Sequence, residues 1–473
     1  MFLLTLLLIP VIAAILLLFV HKQATINAIT IGASLLVLSI AIVILNVNAA
    51  DFDEQWLPLL NSRFVLHTDG LAKLLVLLTA ISFPAIFIAT QKNETSQKNI
   101  FNSLLLFTQA GLLGVFLTAD ALAFYFFWEL ALIPVYFLCS IWGGEKRIAV
   151  TFKFFIYTFL GSLFMLIGIV YLYMHTADHS FAIKALLESR LTATQQNSVF
   201  ALFFLAFAIK MPIFPLHTWQ PDAYEQSPTS VTMVLSAVMV KMGLYGVIRW
   251  LIPLFPIAFA GHANLVITLS VIGIIYASFI AIRQDDLKRL IAYSSIAHIG
   301  LMNAALFTQK QIGAQGVLIQ LFSHGINVLG LWIIADIIEQ QTGTRSMKAM
   351  GGLAKKQPTL AILLVGFAFA NIALPLTNAF VGEFLMFNAL FQFNVWMAAL
   401  AGVSVILAAI YTLNMVQKVA YGEVGDLMQK MNTPSKQAQW VLMILLAIVF
   451  ITGVYPQFLF TITADTLQQM FVK

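Results

Sequence analysis

Six ionisable side chains stand out because apolar residues flank each of them in a stretch long enough to cross a membrane. In chain order they are Glu129, Lys210, Lys241, His298, His324 and Glu383. A charged group at bilayer depth costs a few kcal/mol or more, and such residues usually mark a pathway for ions or protons. Carboxyl, amine and imidazole groups all bind and release protons, so this set is suited to proton transfer across a membrane.

The stretch around the two lysines contains both a helix break and buried charge. Lys210 precedes Pro212 and Pro215 in the sequence IKMPIFPLHTW, and Lys241 lies in the middle of the next apolar segment. A proline inside a spanning helix leaves a backbone carbonyl that only protein or water can satisfy. We therefore expect a wet interior here. The alternative is that the ammonium groups snorkel to the interface, although Lys241 lies too deep for this to be easy.

Glu129 is the natural charge partner of these lysines. It lies at the centre of the wholly apolar sequence FYFFWELALIPVYFL. At a separation of roughly 10 Å and an effective dielectric constant of about 20, one unit charge changes the energy of another by about 1.7 kcal/mol. That energy is enough to switch a proton between states. The structural alternative is a neutral carboxyl group that hydrogen-bonds between helices.

The two histidines occur in AYSSIAHIGL (His298) and LIQLFSHGINVLG (His324). Neither has a second ligand four residues away, so the pattern is not a metal motif. Imidazole both donates and accepts protons near neutral pH, and the neighbouring hydroxyl and amide groups would support water. A proton relay and a structural helix–helix hydrogen bond both remain open for these residues.

Glu383 follows Pro375 by eight residues in a long apolar span, on the far side of a second predicted break. It is either the last group of a proton pathway or an interfacial group. Asp120 and Asp336 lie near predicted span ends, and we expect both to face water.

Composition determines which elements hold these residues. The 473-residue chain is 61% hydrophobic and 10% charged, whereas soluble proteins are about 25% charged. We predict an all-α polytopic membrane protein with about fourteen spans of the length that crosses a bilayer. The spans are predicted at residues 2–20, 26–48, 69–90, 100–118, 121–141, 149–174, 197–216, 229–250, 264–282, 287–308, 312–340, 358–392, 395–420 and 437–456.

The same sequence argues against other chemistry. The single cysteine, Cys139, excludes internal disulfides and thiolate-bound clusters. The chain has no glycine-rich nucleotide fingerprint, phosphate loop, haem motif or iron–sulfur motif. Any redox chemistry must therefore belong to other chains.

The charges of the loops predict the orientation of the chain, and two similar sequences in its two halves predict where a transport site lies. The loops after odd-numbered spans hold 15 lysines and arginines and the opposite loops hold six. The positive-inside rule then places the odd loops in the cytoplasm and both termini outside. The sequence AFAIKMP in span 7 has a short, partial echo, AFANIALP, in span 12, and a chance match between two apolar segments is the alternative. Paired broken helices of this kind indicate a transport site near the membrane midplane.

Three segments resemble the antiporter-like, proton-translocating subunits of respiratory complex I, and specifically their M type. They are WELALIPVYFL, FAIKMPIFPLHTWQPDAYEQSPTSVTMVLSAVMVKMGLYGVIRW and LKRLIAYSSIAHIGLMN. The likeness extends over spans 3 to 13. It implies that Glu129 and Lys210 form a pair, that Lys241 leads to a central axis, and that the family's histidines correspond to His298 and His324. Most members carry lysine on the broken helix 12, whereas the M type carries glutamate, as Glu383 is here.

The resemblance also implies a fold of two inverted five-helix repeats with broken helices 7 and 12. Residues 1–99 would form helices 1–3, 100–250 the first repeat (helices 4–8), and 264–420 the second (helices 9–13). Residues 421–473 would form helix 14 and an amphipathic tail.

The implied function is that of a proton-translocating subunit of NADH:quinone oxidoreductase, in which quinone reduction elsewhere drives proton transfer through this chain. Flavin mononucleotide, iron–sulfur clusters and quinone would bind partner subunits and none would bind here. The implied partners are L- and N-type antiporter-like subunits and lipids, not nucleic acid, in a bacterial inner (plasma) membrane. Two alternatives stay open: a subunit of a Mrp-type sodium/proton antiporter, and a purely structural subunit whose buried charges are fixed ion pairs.

Overall fold

The computed structural model describes residues 2–47 and 49–471, and helices dominate it. We number the helices that follow the predicted spans α1 to α14, with the two halves of the twelfth called α12a and α12b. They are α1 (Phe2–Leu18), α2 (Gln23–Asn46), α3 (Gly70–Ala89), α4 (Lys98–Leu117), α5 (Ala121–Trp142), α6 (Arg147–His175), α7 (Ala193–Lys210), α8 (Thr229–Leu254), α9 (Pro256–Arg283), α10 (Leu287–Phe307), α11 (Gln311–Thr342), α12a (Pro358–Asn371), α12b (Asn378–Phe393), α13 (Val395–Ala420) and α14 (Lys436–Val454).

Within the described residues, 11 of these helices are long and apolar enough to cross a membrane unbroken. The others are the short α1, the broken α7 and the two halves of α12. The prediction of an all-helical membrane protein is confirmed, and the helices agree with about fourteen spans.

The remaining elements are short, except for an amphipathic helix that follows α14. A two-stranded antiparallel hairpin, β1 with β2, occupies the connection after α2, where no strand was predicted. These elements are β1 (Phe52–Leu57), β2 (Ser62–Leu66), single turns at Pro58–Leu60 and Met347–Ala349, short helices at Ile183–Leu187, Trp219–Gln226, Leu353–Lys356 and Asp426–Gln429, and α15 (Gln457–Phe471).

Asp120 attaches this hairpin to the start of α5. Its carboxylate accepts hydrogen bonds from the Ser62 hydroxyl and the Arg63 amide of β2. It also caps α5 by accepting from the amides of Leu122 and Ala123. The prediction that Asp120 faces water is wrong, because these donors replace water and the residue is completely buried. The position of Asp120 near a helix end did not indicate that strand β2 would cover it.

The predicted break after Lys210 is confirmed, although α7 ends earlier than the predicted span 197–216. The chain leaves the helix at Met211 and resumes helical structure only at Trp219. The indole Nε1 of Trp219 donates to the carbonyl oxygen of Ile209 at 3.0 Å. The Ile213 amide donates to the Ala208 carbonyl instead of to Ile209. The Trp219 bond therefore satisfies a carbonyl that the end of the helix leaves without a helical partner, which makes the break tolerable at membrane depth.

The predicted break in the span 358–392 is confirmed too, because the span consists of two helices. The chain between α12a and α12b turns at Pro375, and two residues there adopt positive φ angles, 53° at Ala373 and 76° at Leu376. Each half is too short to cross a bilayer alone, since a crossing needs about 20 residues. Both broken helices therefore have ends inside the protein.

The centre of the molecule consists of α8, α10 and α11, whose apolar segments are completely buried. In contrast, α2, α13 and α14 leave much of their apolar surface exposed, as expected of helices that face lipid. Each central helix carries one of the predicted proton-transfer residues: Lys241, His298 and His324. The core therefore brings together groups that are far apart in the sequence.

A close contact between α7 and α8 fixes the two lysine-bearing helices relative to each other. A Cβ atom on Gly243 would lie 2.7 Å from the carbonyl oxygen of Phe207, and one on Gly246 would meet the Phe207 ring. Only glycine permits this approach. The end of α7 that carries Lys210 consequently packs against the turn of α8 that follows Lys241.

Candidate functional site

Lys241 and His324 form the central contact of the site. The Lys241 ammonium lies 2.9 Å from Nδ1 of His324 and donates to the carbonyl oxygen of Ser236 at 2.6 Å. Ser236 belongs to a π turn of α8 over Leu235–Met239, a wider turn than an α-helix makes. π turns frequently occur at functional sites because they change which backbone groups are paired. Both side chains are buried, so this contact excludes bulk water.

His298 and Glu383 extend this contact across the second half of the molecule. The rings of His324 and His298 have centroids 5.6 Å apart. Nδ1 of His298 then lies 3.0 Å from Oε1 of Glu383, which also accepts a weak hydrogen bond from Gln320. We call Lys241, His324, His298 and Glu383 the central file. Successive members come from α8, α11, α10 and α12b and lie next to one another.

Glu129 and Lys210 lie in the first half of the molecule, near each other but not bonded. The two charges interact electrostatically, yet the Lys210 ammonium and Oε1 of Glu129 both lack a hydrogen-bond partner. The ammonium lies 5.5 Å from the centroid of the Trp128 ring, within the range of a cation–π interaction. The ring offers Lys210 a second stabilising partner. The two residues of the predicted pair are therefore close to each other but do not form a salt bridge.

Buried polar atoms without partners also occur on the short helix that follows the break after Lys210. They include the amide of Gln220 and the hydroxyl of Tyr224, which lie one turn apart on the short helix Trp219–Gln226. Buried polar groups without protein partners are usually satisfied by water. These unpaired atoms on the helix after the break therefore indicate a hydrated space there.

Sequence reasoning missed Gln220, Tyr224, Ser236 and Gln320. One signal was present, because Gln220 and Tyr224 are four residues apart, as are Gln320 and His324, and such pairs share a helix face. Ser236 gave no such signal, since its part in the site depends on its carbonyl oxygen and on the π turn.

A second polar group adjoins the central file at the break of helix 12. The Ser294 hydroxyl contacts both the Tyr411 hydroxyl and the Asn371 amide, and Asn371 also donates to Thr412. These four residues come from α10, α12a and α13. The cluster ties the end of α12a to its neighbours and keeps polar groups next to Glu383, with which Tyr411 interacts electrostatically.

The face of the predicted cytoplasmic loops carries an ion-pair network that anchors the short helix Trp219–Gln226. Asp222 pairs with Lys153 at 2.9 Å and with Arg289 at 3.1 Å, and Arg289 also pairs with Glu225 at 2.6 Å. Burial alone would raise the pKa of Asp222, but the hydrogen bonds and charges of Lys153 and Arg289 outweigh it and hold this pKa below its usual value. Asp222 therefore stays ionised at neutral pH.

The network continues around a polar cavity of about 520 Å³ at the ends of α4, α8, α10 and α11. Glu339 accepts from the Thr229 hydroxyl at 2.9 Å and pairs with Lys288 at 2.8 Å. Asp336 also lines the cavity and accepts from Asn93 at 2.9 Å. The prediction that Asp336 faces water is wrong, because neighbouring helix ends cover it and it is only 4% exposed.

Proton transfer is the chemistry that this arrangement supports. Hydrogen bonds and ring contacts connect amine, imidazole and carboxyl groups within a buried, partly unsatisfied polar interior. Among the residues that the structure describes, no three His, Cys, Asp or Glu side chains are grouped so as to hold a metal ion.

Comparisons with known proteins agree with this geometry. Residues 118–410 match the family described as "NADH:quinone oxidoreductase/Mrp antiporter, TM". The chain is 36% identical over 416 residues to a Rhodobacter capsulatus protein named NADH-quinone oxidoreductase subunit M, covering 85% of this chain and 81% of that one. It is also 36% identical over 419 residues to the protein of that name from Escherichia coli K12, covering 86% and 82% of the two chains.

Solved structures show the same fold. A chain of respiratory complex I from Thermus thermophilus superposes with a TM-score of 0.93 at 28% identity, covering 99% of both chains. A chain of the Mrp complex from Dietzia superposes with a TM-score of 0.87 at 20% identity, covering all of this chain and 52% of that one. At 20% identity the second likeness shows the fold alone.

Proposed function

Since this chain belongs to the subunit M family of NADH-quinone oxidoreductase, we propose that its buried polar groups carry protons through the membrane arm of that complex. It is a multi-pass membrane subunit of the proton-translocating oxidoreductase. The cofactors of NADH oxidation and quinone reduction, namely flavin mononucleotide, iron–sulfur clusters and quinone, would be held by partner subunits.

The observation that carries the proposal is the order in which the members of the central file lie next to one another. The Lys241 ammonium already contacts His324, and His298 already contacts Glu383, so two of the three steps follow existing hydrogen bonds. Such alignment lowers the cost of proton transfer because the donor and the acceptor need no rearrangement. The step between the two imidazoles uses Nε2 of His298, which is buried and has no partner.

The proposed sequence of steps begins at the Glu129–Lys210 pair. A change in charge on either residue alters the field at Lys241, and one unit charge at roughly 10 Å is worth about 1.7 kcal/mol. The proton on the Lys241 ammonium then passes to Nδ1 of His324. His324 would then release a proton from its other ring nitrogen, Nε2, to Nε2 of His298, and His298 would release its Nδ1 proton to Oε1 of Glu383. Moving one charge against 100 mV costs about 2.3 kcal/mol, so a few such interactions supply each step.

We also propose the boundaries, orientation and neighbours of the chain. The two repeats would be residues 100–250 and 264–420, because α4 packs on α5 as α9 packs on α10, and α6 packs on α7 as α11 packs on both halves of helix 12. The excess of lysine and arginine in the odd loops supports termini on the periplasmic side of a bacterial inner membrane. Adjacent L- and N-type subunits and lipids would cover the exposed apolar helices.

Proton uptake would occur at the polar cavity beside Glu339 and Thr229. Thr229 lines this cavity, and Thr232 and Ser236 follow it on α8 at spacings of three and four residues, with the Ser236 carbonyl bonded to Lys241. The Tyr224 ring contacts the Trp332 ring. Both the Tyr224 hydroxyl and the Trp332 Nε1 lack partners. Water held at these atoms would connect the cavity to Lys241.

The first test replaces Glu129 with glutamine in the assembled complex. Loss of the carboxylate should slow NADH-driven proton transport about tenfold, because one unit charge at roughly 10 Å changes the energy of Lys210 by more than 1.36 kcal/mol. The measurement is dye-reported acidification of proteoliposomes, normalised to bound flavin. Glu188→Gln, at an exposed position, is the control. A purely structural role would instead give poor assembly and normal transport per complex.

A second test concerns uptake. Tyr224→Phe removes only a hydroxyl, and the loss of one relay hydrogen bond worth about 1 kcal/mol should slow transport about fivefold. The deficit should grow as the pH on the uptake side rises, since fewer protons reach the cavity. Tyr136→Phe, which removes a hydroxyl from α5 away from the cavity, should leave the rate unchanged. A deficit that is independent of pH would contradict a role in uptake.

A Mrp-type antiporter remains the competing function. The Mrp chain shares the fold at 20% identity, whereas the curated subunit M relatives share 36%. Co-purification decides between the two functions, because flavin and iron–sulfur absorbance accompanies a subunit of the oxidoreductase and would be absent from an antiporter.

A further inference from the structure

A large cavity that the proton pathway does not use lies at the end of the molecule opposite the ion-pair network. It has a volume of about 750 Å³ and lies where α3 and α9 begin, where α8 and α10 end, and where α15 closes over them. Its walls are mainly apolar and include Ile248, Ile252, Ile257, Phe259 and Met470. The predicted topology places this end at the outer surface.

Two opposite charges line this apolar cavity. The Arg249 guanidinium donates to Oδ1 of Asp69 at 2.6 Å and to the Tyr245 hydroxyl at 3.2 Å. The Arg249 side chain remains 17% exposed. A buried pair of this kind costs desolvation energy, which further hydrogen bonds reduce.

One oxygen of the Asp69 carboxylate makes no hydrogen bond within the chain. Its side chain is only 5% exposed, and Oδ2 has no hydrogen-bond partner. Burial alone would raise the pKa of Asp69, but the charge and hydrogen bond of Arg249 outweigh it, so this pKa lies below its usual value. An ionised oxygen that is buried without a donor indicates that something absent from the chain donates to it.

The charges of Arg249 and Asp69 determine which kind of ligand the cavity can bind. Arg249 and Asp69 neutralise each other, so the cavity has no net attraction for an anion, while it offers one donor and one acceptor beside an apolar volume. We propose that the cavity binds a phosphatidylethanolamine molecule, with its phosphate on Arg249, its ammonium on Oδ2 of Asp69 and its acyl chains along the isoleucines. A guanidinium suits phosphate, and a primary ammonium supplies the missing hydrogen bond.

The same geometry disfavours related lipids. A choline headgroup carries no N–H, so it would leave Oδ2 of Asp69 unpaired. An anionic headgroup would bring a net negative charge next to the Asp69 carboxylate. The cavity is also closed on one side by a specific contact, because the Thr466 hydroxyl of α15 accepts from the Leu71 amide at 2.9 Å. The bound lipid would therefore hold α15 against α3 and α8.

The test uses the assembled complex in proteoliposomes that contain trace phosphatidylethanolamine or phosphatidylcholine with a photoactivatable group on one acyl chain. After illumination, mass spectrometry maps the lipid adducts on residues 248–260 and 466–471. The ethanolamine probe should label these segments about tenfold more than the choline probe, as expected for the loss of one charge-assisted hydrogen bond. This comparison needs no variant.

Two variants sharpen the test. Ile257→Trp places a bulky ring on the wall of the cavity and narrows it, so it should reduce labelling about tenfold. Ile272→Trp, on the exposed face of the same helix, should not. Asp69 caps α3 by accepting from the Ala72 amide at 2.9 Å. Asp69→Asn keeps this capping oxygen but removes the ionised acceptor, so it should abolish the preference for ethanolamine over choline. Equal labelling by both probes in the unaltered chain would overturn the proposal. So would adducts on a neighbouring subunit alone, since the cavity would then be covered by protein.

Discussion

Replacing Lys241 with methionine should reduce NADH-driven proton transport through this subunit by about 100-fold or more, which is at the low end of what a positioned proton-transfer group contributes. Lys241 is the only member of the central file on α8, and its ammonium joins the Ser236 carbonyl to His324. Methionine has a similar volume and no charge to desolvate, so the core should still pack and the complex should still assemble. The measurement is proteoliposome acidification per bound flavin.

Arginine at this position separates two roles for the charge. Lys241→Arg keeps a cation at the site, but a guanidinium does not release its proton in proteins. If Lys241 passes a proton on, arginine should fail as methionine does. If the residue acts only through its field, arginine should restore transport. Lys184→Met, at an exposed lysine, is the matched control. Normal transport in an assembled Lys241→Met complex would refute the proposed role.

Glu383→Gln should cause a loss of similar size, about 100-fold. Glutamine is isosteric and keeps an oxygen for the bond from His298, but it cannot take up a proton. Transport should stop at His298 while the 3.0 Å contact is kept. Proton transport and thermal stability are measured on the same preparation, because only transport should change.

A control variant and a stability measurement test whether Glu383 acts in proton transfer or only in packing. Glu54→Gln changes an exposed carboxylate on β1 and should have no effect. A melting temperature that falls together with transport would identify Glu383 as a packing group at the break of helix 12. Glu383→Asp shortens the side chain by one methylene and should retain part of the activity, since the carboxyl group remains.

Much of this protein could be predicted from the sequence. Hydropathy and span length predicted the membrane helices because each helix satisfies its own backbone hydrogen bonds, a local property. The prolines after Lys210 and before Glu383 predicted both breaks, since proline removes a donor wherever it lies in a helix. All six candidate residues could be identified because a titratable group within an apolar run is costly in any fold.

The sequence was least informative about the ends of helices and about the contacts between helices that make up the site. Asp120 and Asp336 lie near span ends, where water is the usual partner, yet the hairpin and the α3–α4 connection cover them. Ser236 contributes a backbone carbonyl, which no side-chain pattern reveals. The β-hairpin after α2 lacked a clear alternating pattern and was not predicted.

By itself, then, the sequence determined which groups are titratable, how deep each lies and where two helices break, because these properties depend on residues within about one helix length. Only the tertiary structure decided which groups touch. Lys241 meets His324 across 83 residues and His298 meets Glu383 across 85, whereas Glu129 and Lys210 stop short of a bond. Such contacts depend on how α8, α10, α11 and α12b pack, and that packing is set by side-chain volumes and glycine contacts spread over the whole core.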